Sequence, residues 1–354
     1  MAFNTDIAEA RAALKLIESN NGRRALATGR PVLKHLNADT TWLIQLPYPA
    51  SSAAPEGRSH FNILIDPWLQ GPQSDVASWF STQWHVVAPS VKTIAELNTT
   101  LGQLEANDGH DAPTPEKGTS YIDAVIISHE FTDHCHRATL EELPAHTPVF
   151  ATDKAAELIR SWSHFDFVIT MPGFSGTDGD GSSWTDVLGD KNGFLPSWLG
   201  VGRVVTEGNA LFYHSSVVIV FDLQQNGAER QTEAIIYSPH GIKASDLACI
   251  KTSGIKTLAL LHGLDDVRIW MTAQLNLGAL NGIEAVHASG ARFWVATHDE
   301  AKRGGGLISW LLRRTSYTLR DAVEAEKAKR TDTDGSKSPH YDFVELGSGH
   351  ALVL

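Results

Sequence analysis

The chain has 354 residues, 29 of them basic and 41 acidic, giving a formal charge of −12 with 42% apolar and 20% charged side chains. That balance excludes disorder along the whole length, which requires low hydrophobicity with dense charge, and it argues against a nucleic-acid partner, whose phosphates select faces rich in Lys and Arg. Two cysteines, Cys135 and Cys249, are too few for a disulfide framework, so a reducing, cytoplasmic setting is expected.

The first 22 residues read as a short amphipathic helix, with Ile7, Leu14 and Ile17 on one face and Gly22 as its stop. Asp6 and Glu9 interrupt any continuous apolar run there, so a secretory signal is not expected. Strands rich in β-branched and aromatic residues are expected at Thr41–Leu46, His60–Asp66 and Tyr121–Ser128. Helices at Arg137–Leu143 and Asp153–Trp162 follow, with short strands at Val149–Ala151 and Phe167–Thr170. Met171–Gly202 is dominated by Gly, Ser and Asp but holds Trp184, Phe194 and Trp198, and it reads as a partly ordered lid or insertion loop over residues 171–202.

A second strand run is expected at Arg203–Thr206, Ala210–His214, Val217–Leu223 and Glu233–Tyr237. Then come a helix near Ala244–Ile250, a strand at Thr257–Leu261, a helix around Met271–His287, a strand at Phe293–Thr297 and a helix over Leu307–Lys327. A polar segment, Thr331–Pro339, precedes strands at Tyr341–Leu346 and Ala351–Leu354. No repeat of fixed period is visible, and no apolar run approaches the roughly 20 residues of a membrane span, so no membrane association is expected. Two β-rich halves, each ending in helices, predict a sheet sandwich with helices outside, read as a single domain over residues 1–354.

The strongest chemical signal is Ile126–His136, IISHEFTDHCH. An apolar strand ends at Ser128, and His129, Glu130, Asp133, His134 and His136 follow. Alternate side chains leaving a strand end project together, so this cluster can converge on one ion. Imidazole and carboxylate suit Zn²⁺, Fe²⁺ or Mn²⁺. The plainer reading of the same residues is a polar turn with solvated histidines.

The block resembles the H-x-H-x-D-H signature of metallo-β-lactamase-fold hydrolases, and the wider sequence is most similar to their ascorbate-phosphate lactonase-like branch. That resemblance implies an α/β fold, an αββα sandwich of two mixed sheets flanked by helices, with metal held between the sheets. It assigns Asp66, in ILIDP, to support of the metal loop, and it matches His214, His240 and His298 to later ligand positions.

Two departures shape the expectation. The second histidine of the signature is Phe131, and the bridging carboxylate position falls on His240. His129 and His214 alone remain of one ion's ligands, whereas Asp133, His134 and His298 keep the other's. The resemblance with these departures implies one ion, with Zn favoured over Fe or Mn, at Asp133, His134 and His298, and with His240 as fourth ligand or close neighbour. Asp133, His129 and His240 are the expected catalytic residues, with His136 as a hydrogen-bonding neighbour of the ligands and His262 as a site-lining residue.

Other features carry less. His35, His60, His85, His146 and His164 read as structural or surface groups, and Cys135 as a packed residue. Arg303–Gly306 reads as a flexible loop in preference to an anion cradle, and some of Trp68, Trp79, Trp184 and Trp198 are expected to line an apolar pocket. Three functions remain open. The first is a metal-dependent hydrolase acting through metal-bound water on a small, fairly apolar ester, lactone or amide. The second is a mononuclear non-haem iron enzyme. The third is a metal-free descendant that binds a ligand or works by histidine acid–base chemistry.

Overall fold

The run Trp42–Leu46 is apolar at nearly every position, so a strand made of it must be covered on both faces. The computed structural model describes residues 22–75, 77–105, 120–176, 183–208, 213–223, 231–269, 273–329 and 340–354. The expected N-terminal helix and the segment Thr331–Pro339 lie almost wholly outside these residues, as do most of Ala210–His214 and part of 171–202.

The first half of the chain supplies β1 (Val32–His35), β2 (Trp42–Pro47), β3 (His60–Ile65), β4 (Thr82–Trp84), β5 (Ala124–Ile127), β6 (Val149–Ala151) and β7 (Val168–Thr170). The second half supplies β8 (Leu199–Val205), β9 (Ser215–Phe221), β10 (Glu233–Ser238), β11 (Lys256–His262), β12 (Asp266–Ile269) and β13 (Ala273–Asn276). It continues with β14 (Phe293–Val295), β15 (Arg303–Gly305), β16 (Leu312–Thr315), β17 (Asp342–Val344) and β18 (Ala351–Val353).

Among the described residues one sheet runs β18-β1-β2-β3-β5-β6-β7 and the other β17-β14-β11-β10-β9-β8. Both are mixed: β3, β5, β6 and β7 pair in parallel, as do β10, β11, β14 and β17. Side chains alternate across each strand. Ile44, Ile63, Ile65 and Ile126 face inward and meet Ile219, Ile235, Leu258 and Val295 of the other sheet. Leu43, Leu64, Val125 and Ile127 face outward under the helices Ile94–Glu105 and Asp153–Ser161. The helices Ala248–Thr252, Ala279–Ser289 and Leu319–Lys329 cover the second sheet through Ile250, Ile283, Val286 and Ala322. The result is the expected αββα sandwich, and no helix among the described residues is long and apolar enough to cross a membrane.

Several expected elements differ. Within 171–202, the described residues include a helix, Trp184–Leu188, and the start of β8, with Trp184 in the outer core and Trp198 between the sheets. These described residues pack into the sandwich. The helix expected at Met271–His287 begins only at Ala279, and β13 precedes it as the partner of β12. Gly278 fixes that start: a side chain there would meet the Leu264 carbonyl oxygen at 2.6 Å.

The helix expected over Leu307–Lys327 is likewise divided. Leu312–Thr315 pairs with Asp266–Ile269, and the helix starts at Leu319. Thr318 N donates to Asp321 Oδ2 at 2.7 Å and Asp321 N to Thr318 Oγ1 at 3.2 Å, a reciprocal cap that sets the boundary. Arg303–Gly305 is neither a loop nor an anion cradle; it pairs with β4, and Gly306, at φ +85°, passes so close to the Phe80 carbonyl that only glycine fits. The small sheet β13-β12-β16 and the pair β15-β4 thus form a rim beside the strand ends of the sandwich.

Candidate metal centre

Four strand ends deliver the central residues. Asp66 follows β3, His129–His134 follow β5, and His240 lies just beyond β10; His298 comes three residues after β14. Asp66 (φ +44°) and His298 (φ +60°) adopt a left-handed backbone that non-glycine residues avoid. Such strain, about 1–3 kcal/mol each, persists where surrounding bonds fix the residue. Asp66 accepts from Ser128 N at 2.7 Å and Ser128 Oγ at 2.5 Å, and His298 N donates to the Asp39 carbonyl at 2.9 Å.

Each of two imidazoles is held by a carboxylate behind it. His134 Nδ1 lies 2.7 Å from Asp66 Oδ2, and His298 Nδ1 lies 3.0 Å from Asp39 Oδ1. This arrangement fixes the ring and presents Nε2 forward as a ligand. His134 Nε2 and His240 Nε2 are 3.1 Å apart, and one nitrogen each of His134, His240 and His298 falls within 4.8 Å of the others. Asp133 completes the group: its Oδ1 is 3.7 Å from His134 Nε2 and its Oδ2 is 3.8 Å from His298 Nε2. Tetrahedral zinc bonds of about 2.0–2.1 Å place neighbouring ligand nitrogens about 3.3 Å apart, so these spacings fit one ion.

The electrostatics agree in part. Burial, reinforced by its histidine neighbours, pushes the His240 imidazole well below its ordinary pKa, and burial with Lys302 lowers His298. Both stay neutral, the form that binds metal. Burial works against a charged His134, but the Asp133 and Asp66 carboxylates outweigh it and raise its pKa. Burial likewise opposes ionisation of Asp133, yet Lys302 and the two histidines hold its carboxyl far down.

Asp39 and Lys302 were not legible as site residues. Lys302 Nζ sits 2.7 Å from Asp39 Oδ2 and 2.8 Å from Asp133 Oδ2. Asp39 lies in the polar turn before β2, and Lys302 in the charged run DEAKR, which reads as solvated surface. The only sequence hint is that Lys302 follows His298 by four residues.

The remaining expected residues lie around this core. His129 is buried and packs against both Phe131 (ring centroids 4.2 Å, planes 8° apart) and Tyr213 (5.1 Å, 24°), which also contact each other. Burial lowers its pKa to about 3, and its Nε2 has no hydrogen-bond partner among the described residues. His214 Nδ1 lies 3.3 Å from the His240 carbonyl. Among the described residues, no group of three converging ligands includes His129 or His214. His136 Nδ1 faces Thr139 Oγ1 at 2.9 Å, away from the cluster. His262 is engaged at both ring nitrogens, by the Gly263 carbonyl (2.8 Å) and the Asn281 side chain (2.9 Å), so it braces the strand end and does not line the cavity. Cys135 is buried, and burial raises its thiol pKa well above the usual value.

The cluster opens into a cavity of about 490 Å³. Asp133, His240, His298 and Lys302 form its floor, while Phe80, Phe131, Tyr213, Val267, Ile269, Leu275 and Leu312 give it apolar walls. Gln73, Gln83, Asn276 and Arg314 supply polar groups. Of the tryptophans expected near a pocket, Trp68, Trp79, Trp184 and Trp198 are absent from this lining. Glu300 Oε1 accepts from Val86 N at 2.7 Å and Val87 N at 2.8 Å, which ties the chain after β4 to the floor.

In layering and in the place of its histidine cluster, the protein is an αββα sandwich with a candidate metal centre at the strand ends. No family model and no curated protein sequence matches it. Among solved structures it is similar to a possible metal-dependent hydrolase from Veillonella parvula, at 12% identity and TM-score 0.49, over 92% of this chain and 100% of that one. It is also similar to isothiocyanate hydrolase from Delia radicum gut bacteria, at 13% identity and TM-score 0.47, over 91% and 98%. A third is the metallo-beta-lactamase fold protein YhfI from Bacillus subtilis, at 12% identity and TM-score 0.44, over 91% and 98%.

Proposed function

We propose that the protein is a metal-dependent hydrolase whose single ion is held by His134, His240 and His298, with Asp133 beside it, and whose substrate is a small, fairly apolar ester, lactone or amide. The observation that carries this reading is the convergence of three buried imidazoles, two of which, His240 and His298, reach the floor of a cavity with mostly apolar walls. A divalent ion there supplies Lewis acidity to a carbonyl and lowers the pKa of water toward neutrality.

The chain's own residues supply the rest. Asp66 and Asp39 fix the rings of His134 and His298. Lys302 pins Asp133 by Oδ2, and the Asp133 carboxylate faces the cavity as a hydrogen-bond acceptor that orients a water for attack. Phe131, Ile269, Leu275 and Leu312 exclude bulk water and set an apolar preference. Because Phe131 and Tyr213 stack against His129, a direct proton transfer by His129 is not part of this reading. Zinc suits three imidazoles, with Fe or Mn as the alternatives. The substrate is a small molecule; the net charge of −12 argues against nucleic acid, and a cytoplasmic setting follows only from the cysteine count.

The test is hydrolysis of an ester and lactone panel by protein stripped with a chelator and then reloaded with Zn²⁺, Fe²⁺ or Mn²⁺. Activity that is lost on stripping and restored by one of these ions is expected. The metal-free reading retains one specific support, the Lys302 ammonium already seated between two carboxylates. Activity that survives chelation would favour it.

A further inference from the structure

We propose that the Lys302 ammonium is a built-in cation that fills a second cation position of the centre, formed by the Asp39 and Asp133 carboxylates beside His298, and thereby limits the protein to one metal ion. The inference rests on the three-imidazole reading of His134, His240 and His298. One ligand atom each of Asp39, Asp133 and His298 lies within 4.8 Å of the others, the spacing of a second ion-binding group. Lys302 Nζ touches both carboxylates of that group, at 2.7 Å to Asp39 Oδ2 and 2.8 Å to Asp133 Oδ2. Its side chain is only 9% exposed, and the Trp68 ring centroid stands 5.5 Å from Nζ.

The charge count explains why lysine and a second metal exclude each other. Two carboxylates carry −2, and the ammonium returns this buried group to −1, beside three imidazoles that can take one dication. A further dication would have to bind the same two carboxylates that Nζ already touches, next to a like charge in a poorly screened interior. His298 is common to the two groups and Asp133 Oδ2 lies 3.8 Å from its Nε2, so lysine also sets the position of a carboxylate beside the imidazoles. Lysine does this as a compact point charge, donating to Asp133 Oδ2 and pairing with Asp39 Oδ2.

The experiment measures Zn²⁺ per full-length chain by elemental analysis after equilibrium dialysis, in the wild type and in Lys302→Ala, with thermal midpoints recorded at each Zn²⁺ concentration. The proposal expects one ion on the wild type and two on Lys302→Ala, with the midpoint of the variant still rising where the wild type is saturated. Lys302→Arg, which restores a cation, should take one ion, and adding Asp39→Asn to Lys302→Ala should remove the extra one. One ion on both wild type and Lys302→Ala, or two on the wild type, would overturn the proposal while leaving the three-imidazole site standing. No ion on the wild type would overturn that site and the proposal with it. If Lys302→Ala does not fold, Lys302→Ser is read in its place. Failure of both to fold with Zn²⁺ present also counts against the proposal, because an ion in the vacated position would replace the missing charge.

Discussion

The Nε2 atoms of His134 and His240 lie 3.1 Å apart although the two residues are 106 positions apart in sequence. His134 Nδ1 faces the Asp66 carboxylate, which leaves the His134 Nε2 lone pair pointing at His240. Two imidazole nitrogens aimed at one point need a proton or a cation between them.

The carboxylate behind His134 is the first place to test this. Asp66→Asn keeps the size of the side chain but weakens its grip on Nδ1. Loss of a carboxylate that orients a ligand histidine costs about 10–100-fold in metal affinity. Zn²⁺ titration calorimetry should show a fall in that range with an unchanged circular dichroism spectrum. An unaltered affinity would separate Asp66 from metal binding.

The histidines should divide cleanly. His240→Ala removes one of three converging nitrogens and should lose stoichiometric metal together with turnover. His214→Ala alters a residue whose Nδ1 faces a backbone carbonyl, and it should keep the wild-type metal content. Elemental analysis of the two variants purified side by side distinguishes them. Equal loss in both would return His214 to the ligand set.

Acid should weaken the fold through a buried imidazole. Burial lowers the His35 imidazole to about 4 from its ordinary 6.5, and the ring stacks on Trp42 with centroids 3.8 Å apart. The unfolded chain therefore binds a proton near pH 6.5 that the folded chain refuses until about pH 4, so stability falls as pH drops through that window. His35 alone accounts for on the order of 3 kcal/mol across it. Urea unfolding at pH 7 and pH 4.5 should show the loss, and His35→Phe should flatten the pH dependence. The same pH dependence in His35→Phe as in the wild type would refute the account.

The cavity walls should set substrate size. Ile269 and Leu312 come from paired strands of the rim and face the floor. Ile269→Phe narrows the space, and one methylene-sized misfit in an apolar pocket is worth about 10–200-fold. Relative kcat/KM should shift by that order toward the smaller members of an ester or lactone series, with metal content unchanged. An unchanged preference would place substrate elsewhere.

Much of this was legible in the sequence because the signals are local. The strand runs at Trp42 and His60 are apolar on both faces, and the histidine block follows a strand that ends in polar residues. His134, His240 and His298 each lie close beyond such an end, so their convergence followed once the two sheets were layered. The misread segments owe their form to distant partners. Leu312–Thr315 has the composition of a helix, but it is drawn into a strand by Asp266–Ile269, about 46 residues earlier in the chain. Trp184 and Trp198 sit among glycines and serines that resemble a loop, yet both are anchors of the core. Lys302 stayed hidden because a buried lysine and a solvated one look alike until the carboxylates that surround it are in place.

X-ray absorption at the zinc edge, on the protein titrated with one equivalent of Zn²⁺, addresses the centre most directly. The account predicts a first shell of about three imidazole nitrogens near 2.0–2.1 Å with one oxygen, and the outer-shell scattering that imidazole rings give. A shell of water-like oxygens without that imidazole signature, or zinc that washes away on dialysis, would contradict it.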